Sequence, residues 1–169
     1  MDQDRSEKHI LSLMVENQPG VLSRIAGLFS GRGFNIESLS VNETLDSTMS
    51  QMTIVTRGDD RIIEQIDKQL NKLVDVIKVI DFHSKESNYT DRELILIKVN
   101  VDDKKRSEIL SIIDIFRAKV VDVSHNCYTV EITGDEKKIS AAINLFRPLG
   151  IKEIVRSGKA AMSRRVNDL

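Results

Sequence analysis

Hydrophobic positions along the chain alternate between a period of two and a period near 3.6, and they do so in the same order twice. Leu11, Leu13 and Val15 alternate with Ser12 and Glu16, which predicts a strand over His9–Glu16. Val21, Leu22, Ile25, Leu28 and Phe29 then share one helical face, which predicts a helix from about Pro19 to Arg32. Pro19 is expected in its first turn and Gly33 as a left-handed C-terminal cap. A second strand follows over Phe34–Asn42. Its apolar positions change phase between Ile36 and Leu39, the mark of a bulge. The polar run Asn42–Ser47 reads as a hairpin loop, and Met49–Arg57 as a third strand. After an aspartate N-cap at Asp59-Asp60, Ile62, Ile63, Ile66 and Leu70 make the buried stripe of a second helix, with Glu64 and Lys68 paired outside. Leu73–Phe82 is a fourth strand.

The polar segment 84–92 reads as a linker, after which the order repeats. Glu93–Val101 is a strand, and a helix within Asp103–Arg117 turns Ile109, Leu110, Ile112, Ile113 and Phe116 inward. Lys119–Ser124 and Cys127–Thr133 form a hairpin around His125-Asn126. A helix beginning at Gly134-Asp135 buries Ile139, Ala142, Ile143 and Phe146 and ends at Pro148 and Gly150. Ile151–Val155 is the last strand, with a tail behind it. The fold class expected is α+β: two tandem ferredoxin-like βαββαβ domains, at 9–83 and 93–157, with the tail at 158–169. Each half has only about eighty residues, a size at which one core is marginal. Dimerisation is the expected remedy, because it also covers open sheet faces and edges.

With 169 residues the chain suffices for one medium domain or two small ones, and 40% hydrophobic with 30% charged residues is normal for a soluble globular protein. The net charge of −1 argues against a strong electrostatic grip on nucleic acid. Aromatics are only 4% of the chain, too few for the base-stacking sheet of an RNA-recognition domain of the same topology. No apolar run is long enough to cross a membrane and no signal peptide is evident, so a cytoplasmic setting is expected. Cys127 is the only cysteine and reads as a buried, inert thiol inside a strand.

Catalytic equipment is hard to find. His9, His83 and His125 fall at a strand start, in the linker and in a turn, where solvated roles are expected, and none has metal-ligand spacing. The pairs Asp59-Asp60 and Asp102-Asp103 stand at helix entrances, where aspartates serve as caps. No nucleophile elbow, P-loop or dinucleotide fingerprint occurs. What remains is the loop Asn17-Gln18-Pro19-Gly20 at a helix N-terminus. There the N–H groups of Gly20, Val21 and Leu22 suit a small carboxylate. The same residues also make an ordinary strand–helix connection, and on physical grounds alone that plainer reading leads. The second half has no such loop, and its aspartates would repel a carboxylate.

The run Glu16–Arg24 with Leu28–Leu39 resembles the ACT domain of acetolactate synthase (acetohydroxyacid synthase) small regulatory subunits. Gln51–Val55, Glu64–Val76, Arg92–Val99, Ile115–Val123 and the closing Arg156-Ser157-Gly158 and Met162-Ser163-Arg164 extend that resemblance over nearly the whole chain. It implies a non-catalytic chain, an ACT domain at 9–83 that senses an amino acid, and a homodimer whose ACT sheets join side by side. It implies effector sites at that interface for valine or another branched-chain amino acid. Asn17, Pro19, Gly20, Val21, Leu22, Asn35 and Ile36 are then the effector-binding residues, with Val21 or Ile36 lining an aliphatic pocket. The implied partner is the catalytic large subunit, which carries thiamine diphosphate, magnesium and FAD; no cofactor is implied on this chain. The implied role is to raise that subunit's activity and confer feedback inhibition. The alternative is a stand-alone amino-acid-binding ACT protein that regulates a different enzyme.

Overall fold

A computed structural model describes residues 7–82, 88–102 and 104–164 of the chain. It divides into two compact units. One runs to Thr90 and resumes at Lys159; the other is Asp91–Gly158.

In the first unit the order is β1 (Glu7–Glu16), α1 (Val21–Gly31), β2 (Ile36–Glu43), β3 (Met49–Gly58), α2 (Asp60–Leu70) and β4 (Val76–Asp81). The strands form one antiparallel sheet in the order β2-β3-β1-β4. Alternation sorts its two faces. Leu11, Leu13, Val15 and Ile54 meet Ile25 and Phe29 of α1 and Ile66 of α2 in a single buried cluster. The expected bulge is present: β2 shifts register against β3 between Ile36 and Ser38. It changes the phase of β2, so Leu39 packs on the core while Ser38 and Ser40 face the side without helices.

The helix ends follow local chemistry. α1 closes in a Schellman turn at Gly33, whose φ is +71°. The N–H of Gly33 donates to Ser30 O at 3.1 Å and that of Phe34 to Phe29 O at 2.9 Å. The rings of Phe29 and Phe34 meet edge-on at 6.5 Å, supplying the apolar contact that accompanies this cap. Asp59 caps α2 by accepting from the Ile62 N–H at 2.9 Å. Pro19 departs from expectation. α1 starts at Val21 behind an N-cap Gly20 at φ +89°, so Pro19 shapes the turn before the helix rather than its first turn.

The second unit repeats the plan with β5 (Tyr89–Asn100), α3 (Arg106–Phe116), β6 (Lys119–Ser124), β7 (Cys127–Gly134), α4 (Glu136–Gly150) and β8 (Ile151–Ser163), in sheet order β6-β7-β5-β8. Ile95, Ile97 and Val99 of β5 pack with Ile109 of α3 and Ile139 and Phe146 of α4. Asp135 caps α4, and Gly150 at φ +96° ends it, whereas Pro148, expected at the helix end, lies inside its last turn. The structure is thus two tandem ferredoxin-like βαββαβ domains.

Further expectations need correction. Leu110, expected inward on α3, is 44% exposed. The linker expected over 84–92 is already strand from Tyr89; residues 84–87 lie outside the described residues. The tail expected from 158 is instead the end of β8, extended to Ser163, because this polar stretch finds backbone partners that its composition does not announce. Cys127 is half-buried rather than buried. His9 is not solvated: its ring is 3% exposed and its Nδ1 lies 3.0 Å from Asp81 Oδ2, because β1 pairs with β4 on the side where both residues stand. His125 is at the exposed hairpin tip and His83 lies outside the described residues.

Candidate functional site

The loop between β1 and α1 is anchored to the hairpin between β2 and β3. The Asn17 N–H donates to Thr48 O at 2.7 Å. Its side-chain Nδ2 donates to Ser47 O at 2.9 Å and to Glu43 Oε2 at 3.3 Å. The amide is thereby oriented, and its Oδ1 is the atom left to accept from a bound ammonium. Pro19 and Gly20 then turn the chain into α1. Gly20 is required there, since its φ of +89° disfavours any other residue and a Cβ would come within 3.1 Å of Arg24 Nη1.

At the helix entrance the Val21 N–H donates to Gln18 O at 3.3 Å and the Arg24 N–H to Gly20 O at 2.9 Å. Among the described residues, the N–H groups of Gly20, Leu22 and Ser23 have no such partner. They are donors at the positive end of a helix dipole, in an exposed loop. The Arg24 guanidinium lies over Gly20 and is oriented by Asp75, with Nε 2.7 Å from Oδ2. The sequence pattern alone does not single out Arg24. The available signal was its position four residues after Gly20, one helical turn on, which returns the side chain to the loop.

The apolar part differs from expectation. The Val21 side chain, expected to line an aliphatic pocket, is 3% exposed and packs in the core, where the helix turns it inward together with Ile25. Ile36 is half-buried against the same core. Leu22, expected on the buried stripe, is instead 41% exposed beside the loop.

Asn35 is exposed just before β2, and its carbonyl accepts from Thr56 Oγ1 at 2.7 Å. Within one chain it does not approach Asn17. β1 and β2 both run antiparallel to β3 and hence parallel to each other. Asn17 follows the end of β1 beside Thr48, whereas Asn35 precedes the start of β2 beside Thr56. At about 3.3 Å per residue the two asparagines stand roughly 25 Å apart, at opposite ends of the sheet.

Asp102 accepts from the Lys105 N–H at 2.8 Å and so works as a cap ahead of α3; Asp103 lies outside the described residues. Among the described residues there is no group of three or more His, Cys, Asp or Glu side chains placed to hold a metal, and no helix long and apolar enough to cross a membrane.

An amide-rich loop at the mouth of α1, on a βαββαβ sheet followed by a second copy of that topology, defines a tandem protein built on an ACT domain. Comparison with known proteins narrows this. Residues 11–78 match the family model described as an AHAS small subunit-like ACT domain, and residues 92–165 the one described as the small subunit of acetolactate synthase. The chain is 54% identical to an Archaeoglobus fulgidus protein named "Probable acetolactate synthase small subunit", over 93% of this chain and 97% of that one. It is 52% identical to the acetolactate synthase small subunit of Aquifex aeolicus, over 95% and 83%. The crystal structure of the Thermotoga maritima acetolactate synthase small subunit superposes with a TM-score of 0.85 at 43% identity, covering 94% of this chain and 98% of that one. The chain belongs to the acetolactate synthase small subunit family.

Proposed function

We propose that this chain is the regulatory subunit of a cytoplasmic acetolactate synthase complex, which raises the activity of the catalytic large subunit and makes it sensitive to valine or another branched-chain amino acid. The observation that carries this reading, beside the family, is the composition of the Asn17–Leu22 loop. Free N–H donors at the start of α1 and the Arg24 guanidinium suit a carboxylate, and the oriented Oδ1 of Asn17 suits an ammonium. Leu22 supplies aliphatic surface. The partner's thiamine diphosphate, magnesium and FAD would carry the chemistry; this chain's residues would bind the effector and report it.

The placement of Asn35 bears on assembly. β2 is an edge strand. If two copies pair β2 against β2 antiparallel about a two-fold axis, the start of one β2 faces the end of the other. That end carries Glu43, the hydrogen-bond partner of Asn17. Asn35 of one chain would then stand beside the Asn17 loop of the other, completing a site that one chain leaves open. Effector binding and dimerisation are linked in that arrangement, and a ligand shifts the complex only by its difference in affinity for the two states. The free-standing ACT reading has no observation in its favour, since the match continues through the second half of the chain.

Calorimetric titration of valine into the purified chain, beside Asn17→Ala, tests the reading. Saturable binding that the variant weakens at least about tenfold is expected. Added large subunit should then show valine inhibition with the wild-type chain and not with the variant. Equal binding by the two chains would remove the loop from the site.

A further inference from the structure

β8 is shared between the two units. Its first part completes the second sheet beside β5, while Lys159–Ser163 belongs to the first unit, as does the start of β5 at Tyr89–Thr90. Two adjacent strands therefore pass from one unit into the other. The change-over on β8 is at Gly158, whose φ of +82° bends the chain in a way other residues resist.

Beyond Gly158 the strand lies on the face of the first sheet that carries no helices. Its outward backbone groups, which on an ordinary edge strand would meet water, meet side-chain hydroxyls. Ser40 Oγ donates to Lys159 O at 2.6 Å. The Lys159 N–H donates to Ser38 Oγ at 3.3 Å and the Ala161 N–H to Thr53 Oγ1 at 3.4 Å. Ala161, 6% exposed, is buried with Ile10, Val55 and Phe82. Further on, the Arg164 N–H donates to Asn88 O at 2.8 Å and its Nε to Thr90 Oγ1 at 3.0 Å. The bulge in β2 makes this docking available: without the phase change after Ile36, Ser38 and Ser40 would face the core.

We propose that Lys159–Ser163 is a latch on the first sheet, held by Ser38 and Ser40 of β2 and Thr53 of β3, and that it carries a displacement of β2 along β8 into the second unit. Its regulatory half rests on the effector reading above, since β2 is the strand placed to line the effector site. Toward β2 and β3 the latch is held through side-chain hydroxyls, where a continuous backbone ladder would be stiffer. It can therefore be released without unfolding either core. An effector that moves the edge strand changes the geometry of the bonds to Lys159 directly, with no intervening residue.

Two measurements on the intact protein test this. In hydrogen exchange on the full chain, Ser38→Ala/Ser40→Ala should speed exchange over 159–163 about tenfold or more while leaving β1 and β3 protected. Ser38→Thr/Ser40→Thr keeps the hydroxyls and should retain protection. Exchange unchanged in the alanine variant overturns the latch, and Thr53→Val gives an independent second reading should that variant fold poorly. In the complex with the large subunit, the alanine variant should bind valine as the wild type does yet leave several-fold more activity at saturating valine. Inhibition equal to wild type overturns the relay. A wild-type chain that binds no valine overturns the relay and the effector reading together, and leaves the latch to be decided by exchange alone.

Discussion

Gly33 and Arg117 sit at equivalent helix ends and both adopt the left-handed conformation, at φ +71° and +50°. The Ala118 N–H closes α3 onto Ile113 O at 2.8 Å, as Phe34 closes α1 onto Phe29 O. Only the first unit uses the residue that this conformation favours. Arg117→Gly should therefore stabilise the protein by about 0.5–1 kcal/mol, and Gly33→Ala, whose new methyl meets nothing within 4 Å, should destabilise it by about 1 kcal/mol, purely through the backbone. Urea midpoints measured on both variants check the pair. Glu93 is a different kind of residue-scale case. Its carboxylate is 4% exposed and meets Arg156 through two bonds of 2.6 Å, and hydrogen bonding to Glu93 holds the guanidinium pKa above its usual range. Removing the half-exposed guanidinium in Arg156→Met strands a buried carboxylate. That should cost roughly 2 kcal/mol in the same assay. The Gly33 cap was legible in the sequence, because glycine at that distance from an apolar stripe has a local meaning. Arg117 and the Glu93–Arg156 pair were not: the first breaks the residue preference, and the second joins positions 63 residues apart.

Elements are legible in the sequence where one face is buried, and not where the partner is remote. The hairpin turning at His125-Asn126, the β2 bulge and the Asp59 and Asp135 caps all arise from residues within a few positions of each other. Asp59→Ala and Asp135→Ala should each cost about 1 kcal/mol. The loss should appear as faster amide exchange in α2 and in α4 respectively, because each cap serves a helix in a different unit. β8 shows the opposite case. From Arg156 on, its sequence is polar or small apart from Met162, with no alternation, and reads as a tail. It is strand because backbone groups are satisfied by β5 on one side and by hydroxyls of β2 and β3 on the other. Ala161 alone is apolar and fully packed, so Ala161→Leu would overfill the space between Ile10, Val55 and Phe82 and lift the strand end. The expected outcome is faster exchange over 159–163, without loss of the second core.

For the whole molecule, the separation of Asn17 and Asn35 makes assembly testable without a dimer structure. If each site takes Asn17 from one chain and Asn35 from the other, Asn17→Ala and Asn35→Ala chains are each defective alone. After mixing and re-equilibration, half the dimers carry one intact site, so valine binding should return at about one quarter of the wild-type number of sites. Calorimetric stoichiometry reads this directly. No recovery on mixing would place both asparagines' roles within single chains or outside the site.

By itself the sequence determined what depends on near neighbours. That covers the strand and helix periods, the twofold βαββαβ order, the caps, the bulge and the presence of a donor-rich loop at the start of α1. The tertiary structure decided what depends on residues far apart in the chain. It left Leu22 exposed beside the loop, brought Arg24 over Gly20, buried His9 against Asp81 and set Asn17 and Asn35 at opposite ends of one sheet. It also returned the end of β8 to the first unit. Side-chain period follows from backbone geometry and is written locally. Which strand edge or sheet face a polar segment meets follows from the packing of elements more than a hundred residues apart, and no local pattern records it.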